Sequence, residues 1–199
     1  MNRKYLFFTL ILTIFYFSCA GLPREKVEPV MERPLPPEHI MGIGQVPVTK
    51  LVEFLGENNP FVDTDFVKDL AMYYIEEAEA EGVNYDTAFA QMCLETGYLS
   101  FGGLVTPEMN NFCGLGAIGP EQPGEIFEDP RTGVRAHIQH LKAYATEEPI
   151  NGILIDPRYR YVRYGSSPTI HGLSGTWAVD QYYSDKIARI LERLYNFSF

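Results

Sequence analysis

Four segments of the chain place apolar residues at the three- and four-residue spacings of an α-helix. These segments run over residues 65–81, 86–96, 134–146 and 180–196. Gly82 and Gly97 follow the first two, where a left-handed residue commonly ends a helix. Between the second and third segments, residues 102–133 are rich in Gly, Pro and Asn, and only 125–128 resembles a strand. The pattern predicts a mainly helical domain.

The apolar spacing also predicts which side of the first of these helices is buried. Its expected stripe consists of Phe66, Leu70, Tyr73, Tyr74 and Ala78. Asn84 or Asp86 is expected to cap the start of the second helix.

The N-terminus carries the features of an export signal. Arg3 and Lys4 precede an apolar run over residues 5–17, and the small residues of Ser18-Cys19-Ala20-Gly21 follow it. The run is short for a membrane-spanning helix, which needs about 20 apolar residues. We therefore predict a signal peptide over residues 1–18. The signal is expected to direct lipidation of the cysteine that follows it, and a plain secretory signal and an uncleaved anchor are the alternatives.

Cys19 follows a small residue and resembles the lipidated cysteine of bacterial lipoproteins, although Tyr16 stands where that pattern usually has Leu. Lipidation at Cys19 would anchor the protein to a membrane of the cell envelope, and secretion is the alternative location. Residues 20–48 hold six of the fourteen prolines, which favour extended backbone. We predict a proline-rich tether over residues 19–49 and a folded domain over 50–199.

The charge of the chain limits its partners. Its 16 Lys and Arg against 26 Asp and Glu give a net charge of −10, which argues against nucleic acid as a partner, because a phosphate backbone is bound through clustered basic residues. His137 and His140 have a spacing that suits zinc, but no third ligand is evident nearby, so no metal and no cofactor are expected. The sequence does not decide whether Cys93 and Cys113 form a disulfide. We expect a monomer.

Glu95 is the strongest candidate for a catalytic residue. It lies near the C-terminal end of the second predicted helix, where the helix dipole disfavours a negative charge. Gln91 and Met92 are its neighbours one turn earlier. An apolar wall and the dipole should raise the pKa of Glu95, as a general acid for glycosidic cleavage requires.

Three segments carry a resemblance to a known family. AQMCLETG at residues 90–97 and NNFCGLGA at 110–117 resemble the AQ-x-x-[LI]-E-[ST]-G and N-[NL]-F-x-G-[LIV] motifs of bacterial endo-β-N-acetylglucosaminidases of glycoside hydrolase family 73. WAVDQYY at 177–183 resembles the [YW]-A-T-D-x-x-Y element before their last helix, with Val179 where Thr is usual. The resemblance runs in order from about residue 62 to 195.

The resemblance implies a lysozyme-like α+β fold, mainly α, with a small β lobe and a cleft for peptidoglycan glycan strands. The implied reaction cleaves the β-1,4 bond after N-acetylglucosamine. Glu95 matches the general acid of the family, and Asn111, Phe112 and Gly114 match the adjacent wall.

Further substrate contacts are expected from Gln91 and Trp177. Trp177 stands where many members have a Tyr that lines the cleft, and its indole suits stacking on a sugar, with a core aromatic as the alternative. Tyr183 is expected to pack and anchor the last helix.

The second carboxylate is open among Glu121, Glu125 and Glu128, since members of the family differ and some use the N-acetyl group of the substrate. We favour Glu125 as a second catalytic residue because it lies two residues before Phe127.

Three alternatives remain at this stage. A lytic transglycosylase or a muramidase of the same fold would also use a single Glu, and a non-catalytic glycan-binding module would keep only the cleft. Alternating Arg and Tyr residues over 158–164 either contact the glycan or peptide stem or form a structural belt.

Overall fold

Five α-helices carry the fold over residues 33–199, the part of the chain that the computed structural model describes. They are α1 (Val48–Asn58), α2 (Thr64–Glu81), α3 (Tyr85–Thr96), α4 (Pro130–Ala145) and α5 (Tyr183–Ser198). The last four correspond to the four segments predicted from apolar spacing, and α1 was not predicted. The expected mainly helical fold is confirmed.

Individual residues determine where α2 and α3 begin and end. Asp63 caps α2 by accepting from the N–H groups of Asp65 and Phe66, and the Asn84 side chain caps α3. Gly82 and Gly97 adopt left-handed conformations, with φ of 74° and 57°, directly after α2 and α3. The expected glycine stops are confirmed, and Asn84 is the cap.

The buried side of α2 differs from the predicted stripe. Phe66 is 36% exposed, whereas Val67 and Ala71 are buried. Because α2 packs against α1, α3 and α4, its buried arc is wider than a single stripe. Glu77 also lies on this side, where the Arg135 Nε donates to its carboxylate over 2.6 Å.

Helix α3 is the centre of the domain. Its residues from Tyr85 to Cys93 are all buried, and it contacts α2, α4 and α5. Only Leu94 and Glu95, in the last turn, are partly exposed before the helix ends. Glu95 therefore lies where the central helix emerges from the core.

The folded unit begins earlier than predicted. Ile40 and Val46 are fully buried, and backbone hydrogen bonds join Ile40 to Pro168 and to Asn84. Residues 38–49 thus belong to the domain, and the predicted tether boundary at residue 49 is wrong. The prolines nearby did not prevent packing because Ile40 and Val46 still supply apolar side chains. The predicted signal peptide over residues 1–18, Cys19 and the part of the predicted tether over 19–32 lie outside the described residues.

Irregular loops occupy the position expected for the β lobe. Within residues 33–199 the structure contains isolated bridges and no β-strand, and the bridge in this region joins Gly119 to Gln122. The expected strand over 125–128 is wrong, because its backbone bonds serve the loops: Glu125 N–H donates to Leu115 O, and Phe127 N–H donates to Met109 O.

None of the helices in the described range combines the length and apolar character needed to cross a bilayer.

Candidate active site

The chain turns sharply directly after Glu95. Tyr98 and Leu99 follow Gly97 in left-handed conformations, with φ of 56° and 61°, which are strained for residues with a Cβ. Asn59 Nδ2 donates to Tyr98 O over 2.8 Å, and Leu99 N–H donates to Thr96 Oγ1 over 2.9 Å. These bonds hold a turn that leaves the Glu95 carboxyl group open on one side.

One oxygen of the Glu95 carboxyl group accepts two hydrogen bonds. The Tyr183 hydroxyl and the Trp177 indole N–H, the latter over 3.0 Å, both donate to Oε1. Oε2 has no hydrogen-bond partner among the described residues and faces Gly114, where an added Cβ would lie 3.6 Å from it. The two oxygens therefore have different environments, one fixed and one free.

Burial raises the pKa of Glu95 above its usual value, and the hydrogen bonds from Tyr183 and Trp177 oppose this shift. Burial also raises the pKa of Tyr183 well above its usual value, so that its hydroxyl keeps its proton and acts as a donor. The rise expected for Glu95 from the sequence is confirmed. Its main cause is the loss of solvent around the carboxyl group.

A chain of buried hydrogen bonds continues behind Tyr183. Gln91 Nε2 donates to the Tyr183 hydroxyl over 2.8 Å, and Gln91 Oε1 lies 3.0 Å from His137 Nε2. Tyr74 Oη lies 2.9 Å from His137 Nδ1.

The direction of every bond in this chain follows from His137. Burial lowers the pKa of His137 to about 3, so the ring is neutral and carries one proton. Because Gln91 Oε1 can only accept, that proton is on Nε2, and Nδ1 accepts from Tyr74. The donors thus point in sequence from Tyr74 toward Glu95.

Gln91 and Tyr183 have roles that the sequence analysis did not assign. Gln91 is fully buried, so its predicted contact with substrate is wrong: its side chain faces the core and orients Tyr183. Tyr183 packs in the core as expected, but its hydroxyl also contacts Glu95. The position of Tyr183 in the motif at 177–183 was the sequence feature that could have indicated a role in the site.

Two cavities flank the free side of Glu95. The first, of about 180 Å³, is lined by Glu95, Asn111 and the loop at 101–105. The second, of about 290 Å³, is lined by Trp177 and by loop residues 113–118. Gly114 and Ala117 line both cavities, so the two lie side by side along one loop.

Asn111 fastens the loops that line the cavities. Its buried side chain donates from Nδ2 to Leu115 O over 2.9 Å and to Glu125 O over 3.0 Å, and its Oδ1 accepts from Leu115 N–H over 2.9 Å. Asn111 therefore replaces a β-ladder as the link between these loop segments, and it also lines the cavity beside Glu95.

The two remaining residues of the predicted wall have different positions, since one lines the cavities and the other lies in the core. Gly114 lines both cavities with φ of 66°, next to Glu95. Phe112 is 1% exposed and packs in the hydrophobic core, so the predicted glycan contact of its side chain is wrong. The loop buries Phe112 because apolar burial stabilises a segment that lacks regular secondary structure.

Trp177 is half-buried at the edge of the second cavity. Its ring packs against His137, His140 and Tyr144, with centroid distances of 5.8, 5.1 and 5.5 Å, while its indole N–H contacts Glu95. The residue therefore combines packing with a position beside the carboxyl group. Stacking on a sugar stays a prediction.

None of the candidate second carboxylates lines either cavity. Glu121 and Glu128 are exposed. Glu125 is half-buried and lies against Gly116, where an added Cβ would be 3.1 Å from its Oε1. Glu125 and Glu95 thus face the same loop, but Glu125 lines neither cavity.

The cysteines and histidines form no metal centre in the described part of the chain, where no three His, Cys, Asp or Glu side chains come together as ligands. Cys93 and Cys113 are buried as free thiols. His140 Nδ1 instead lies 2.7 Å from Asp156 Oδ2.

Residues 71–196 match the family model of the glucosaminidases, described as mannosyl-glycoprotein endo-β-N-acetylglucosaminidase. An uncharacterized protein of Borreliella burgdorferi is 40% identical over 202 residues, which cover 100% of this chain and 98% of that protein. Among solved structures, the fold is similar to S. aureus autolysin E, crystallised in complex with the muropeptide NAM-L-Ala-D-iGlu. The TM-score is 0.52 at 15% identity, over 80% of this chain and 71% of that one.

Proposed function

The chain belongs to the endo-β-N-acetylglucosaminidase family of glycoside hydrolases, and we propose that it cleaves peptidoglycan glycan strands at the β-1,4 bond that follows N-acetylglucosamine. The matched range contains the motifs around Glu95 and Trp177. The similar fold of autolysin E, which binds a muropeptide, supports the choice of peptidoglycan as the substrate.

The placement of Glu95 is the observation that carries this proposal. Its Oε1 is occupied by the donors Tyr183 and Trp177, so a proton on the carboxyl group belongs on Oε2. Oε2 faces Gly114, which lines both cavities. A glycan that crosses Gly114 would bring its glycosidic oxygen to the proton of a carboxylic acid whose pKa is raised.

Tyr183 and Trp177 would act on the same step after the proton leaves. A hydrogen bond to the charged form of an acid stabilises that form, and both donors are already aimed at Oε1. Burial favours the protonated form of Glu95 before the reaction, while these donors stabilise the carboxylate that the reaction produces.

Cleavage would also need a nucleophile or a general base on the face of the sugar opposite the acid. Within the described residues, Glu95 is the only carboxylate that lines either cavity. This arrangement favours participation of the substrate's own N-acetyl group over a second side chain such as Glu125.

The products of digestion test the reaction. Purified protein should release fragments from peptidoglycan that mass spectrometry identifies by a reducing N-acetylglucosamine end. Anhydromuramic ends would instead assign a lytic transglycosylase, and reducing muramic ends a muramidase. Zymography on cell walls that shows binding without clearing would assign a glycan-binding module.

We further propose that the protein acts in the cell envelope as a monomer with a lipid on Cys19. The residues Ser18-Cys19-Ala20-Gly21 after the apolar run support the lipid. Since packing begins at residue 38, residues 20–37 would span at most about 55 Å in an extended proline-rich conformation.

The Cys19→Ser variant tests the anchor. It should leave the membrane fraction and retain the wild-type rate on soluble glycan, because Cys19 precedes the folded domain. Wild-type protein that is already soluble, with its mature N-terminus away from Cys19, would support the plain secretory signal instead.

A further inference from the structure

The second cavity contains polar groups that the proposed acid catalysis does not use. Arg158 and His140 line it together with the aromatic residues Tyr144, Tyr161 and Trp177. The Trp177 indole joins this wall to Glu95. A substrate group in this cavity would therefore lie directly beside the cleavage site.

One buried carboxylate contacts both residues, His140 through its ring and Arg158 through its backbone. Asp156, which is 3% exposed, accepts from His140 Nδ1–H at its Oδ2 over 2.7 Å and from the Arg158 backbone N–H at its Oδ1 over 2.8 Å. Gln139 Oε1 in turn accepts from the Asp156 N–H over 3.2 Å. His140 Nε2 has no hydrogen-bond partner among residues 33–199, so this edge of the ring is available to a ligand.

Arg158 brings a positive charge that no acidic side chain balances. Its guanidinium carbon lies 5.0 Å from the Tyr161 ring centroid, and it forms no ion pair within the described residues. Arg160 lies over the same ring at 4.8 Å, and every charged residue from 157 to 164 is basic. In a chain with a net charge of −10, this local excess of positive charge favours an anionic ligand.

We propose that this cavity binds a carboxylate carried by the muramyl residue of the substrate, an inference that rests on the proposed function. The sugar rings of the glycan and their acetamido groups are uncharged, so the anionic groups of a strand are those attached to muramic acid. They are the carboxylates of the peptide stem or, where the stem has been removed, the lactyl carboxylate. A planar guanidinium pairs with a carboxylate through two parallel hydrogen bonds, and Arg158 supplies such a group in the wall of this cavity.

Binding measured by calorimetry tests the site without requiring turnover. The full chain carrying Glu95→Gln would be titrated with three tetrasaccharides: one with peptide stems, one with free lactyl groups and an uncharged N-acetylglucosamine tetramer. Adding Arg158→Gln should weaken binding of a carboxylate-bearing ligand by about tenfold or more, since a charge-assisted bond is lost. Binding of the uncharged tetramer should be unchanged.

Arg160→Gln is the matched control, because Arg160 contacts the same tyrosine but does not line the cavity. Loss confined to the stem-bearing ligand assigns the carboxylate to the peptide, and loss confined to the lactyl ligand assigns it to the sugar substituent. Loss for both ligands shows that the cavity accepts either carboxylate. Equal losses from Arg158→Gln and Arg160→Gln, or an equal loss for the uncharged tetramer, would overturn the proposal.

The outcome is separable from the proposed function. Absence of hydrolysis by the wild-type protein would refute the enzyme while leaving the binding result intact. Thermal unfolding of each variant distinguishes a lost contact from a lost fold, and Arg158→Lys should recover part of the affinity because it retains the charge.

Discussion

Two regions of the molecule meet at Glu95. We define its helical side as Tyr74, Gln91, His137 and Tyr183, which lie on four different helices. Their buried side chains form one chain of hydrogen bonds that ends at Glu95. On the loop side, residues 97–128, the regular structure is limited to the short 3-10 helix Pro107–Met109. The helical side is held by core packing, and the loop side by the Asn111 side chain and by turns.

The difference separates two tasks of the site. The helical side fixes the position and protonation of Glu95, because it excludes water and aims donors at Oε1. The loop side shapes the cavities, since Gly114 and Ala117 line both of them. Changes on the helical side should therefore alter the rate of the chemical step, while changes on the loop side should alter substrate binding and stability.

Removing the proton donor should have the largest effect. Glu95→Gln keeps the shape of the side chain but carries no acidic proton, and loss of a general acid typically reduces the rate by about 10² to 10⁴-fold. The measurement is kcat on purified peptidoglycan, together with binding of a glycan oligomer, which should persist. Glu128→Gln, an exposed carboxylate, is the control. Wild-type activity of Glu95→Gln would show that the assignment of the acid is wrong.

Tyr183→Phe tests whether the helical side controls protonation. Loss of one hydrogen bond to the developing carboxylate should lower kcat by about tenfold. The Tyr183 hydrogen bond lowers the pKa of Glu95, so its loss raises that pKa. Because the protonated acid is the active form, activity falls as pH rises through this pKa, and the alkaline limb of the pH–rate profile should move to higher pH.

A purely structural role of Tyr183 would lower stability and leave the alkaline limb in place. Tyr195 offers a comparison, since Tyr195→Phe removes a buried hydroxyl that contacts Asp86 rather than Glu95. That variant should lose stability without any shift of the profile.

Gly133→Ala tests the contact between helix α4 and the loop side. A Cβ at Gly133 in α4 would lie 1.7 Å from the Asn110 carbonyl oxygen of the loop side, so backbone must move. Overpacking of this kind typically reduces the free energy of unfolding by about 1–3 kcal/mol. Thermal or denaturant unfolding measures it, and activity should fall less than for Tyr183→Phe.

Gly56→Ala is the matched control, because Gly56 lies within α1 and a Cβ there meets nothing within 4 Å. Alanine is the better helix former by about 0.5–1 kcal/mol, so this variant should be neutral or more stable. If both glycine variants lose stability equally, the close approach of α4 to Asn110 is not the cause.

Glu125→Gln should have the smallest effect on activity. Its side chain lies against Gly116 and lines neither cavity, so the amide should fit with kcat changed by less than about tenfold, below the usual effect of a catalytic acid or base. Similarly mild results for Glu121→Gln and Glu128→Gln would support participation of the substrate's N-acetyl group. A loss comparable with that of Glu95→Gln would instead restore Glu125 as the second catalytic carboxylate.

The sequence by itself determined the helices that surround the site. The apolar spacing, the Asn84 cap and the glycine stops act within a few residues of one another, so α2 to α5 could be predicted from local patterns. The same patterns placed Glu95 in the last turn of a helix, where a partly exposed acid follows a buried stretch. The motifs also indicated the family.

Only the tertiary structure decided which side chains meet at Glu95. Tyr183 and Trp177 are 88 and 82 residues away in the sequence, and no local pattern states that both donate to one oxygen. Membership of a motif did not distinguish a residue that faces the cleft from one that faces the core, as Gln91 and Phe112 show. Periodicity gives the face of a helix, but the partner of that face depends on how distant elements pack, which is a property of the whole core.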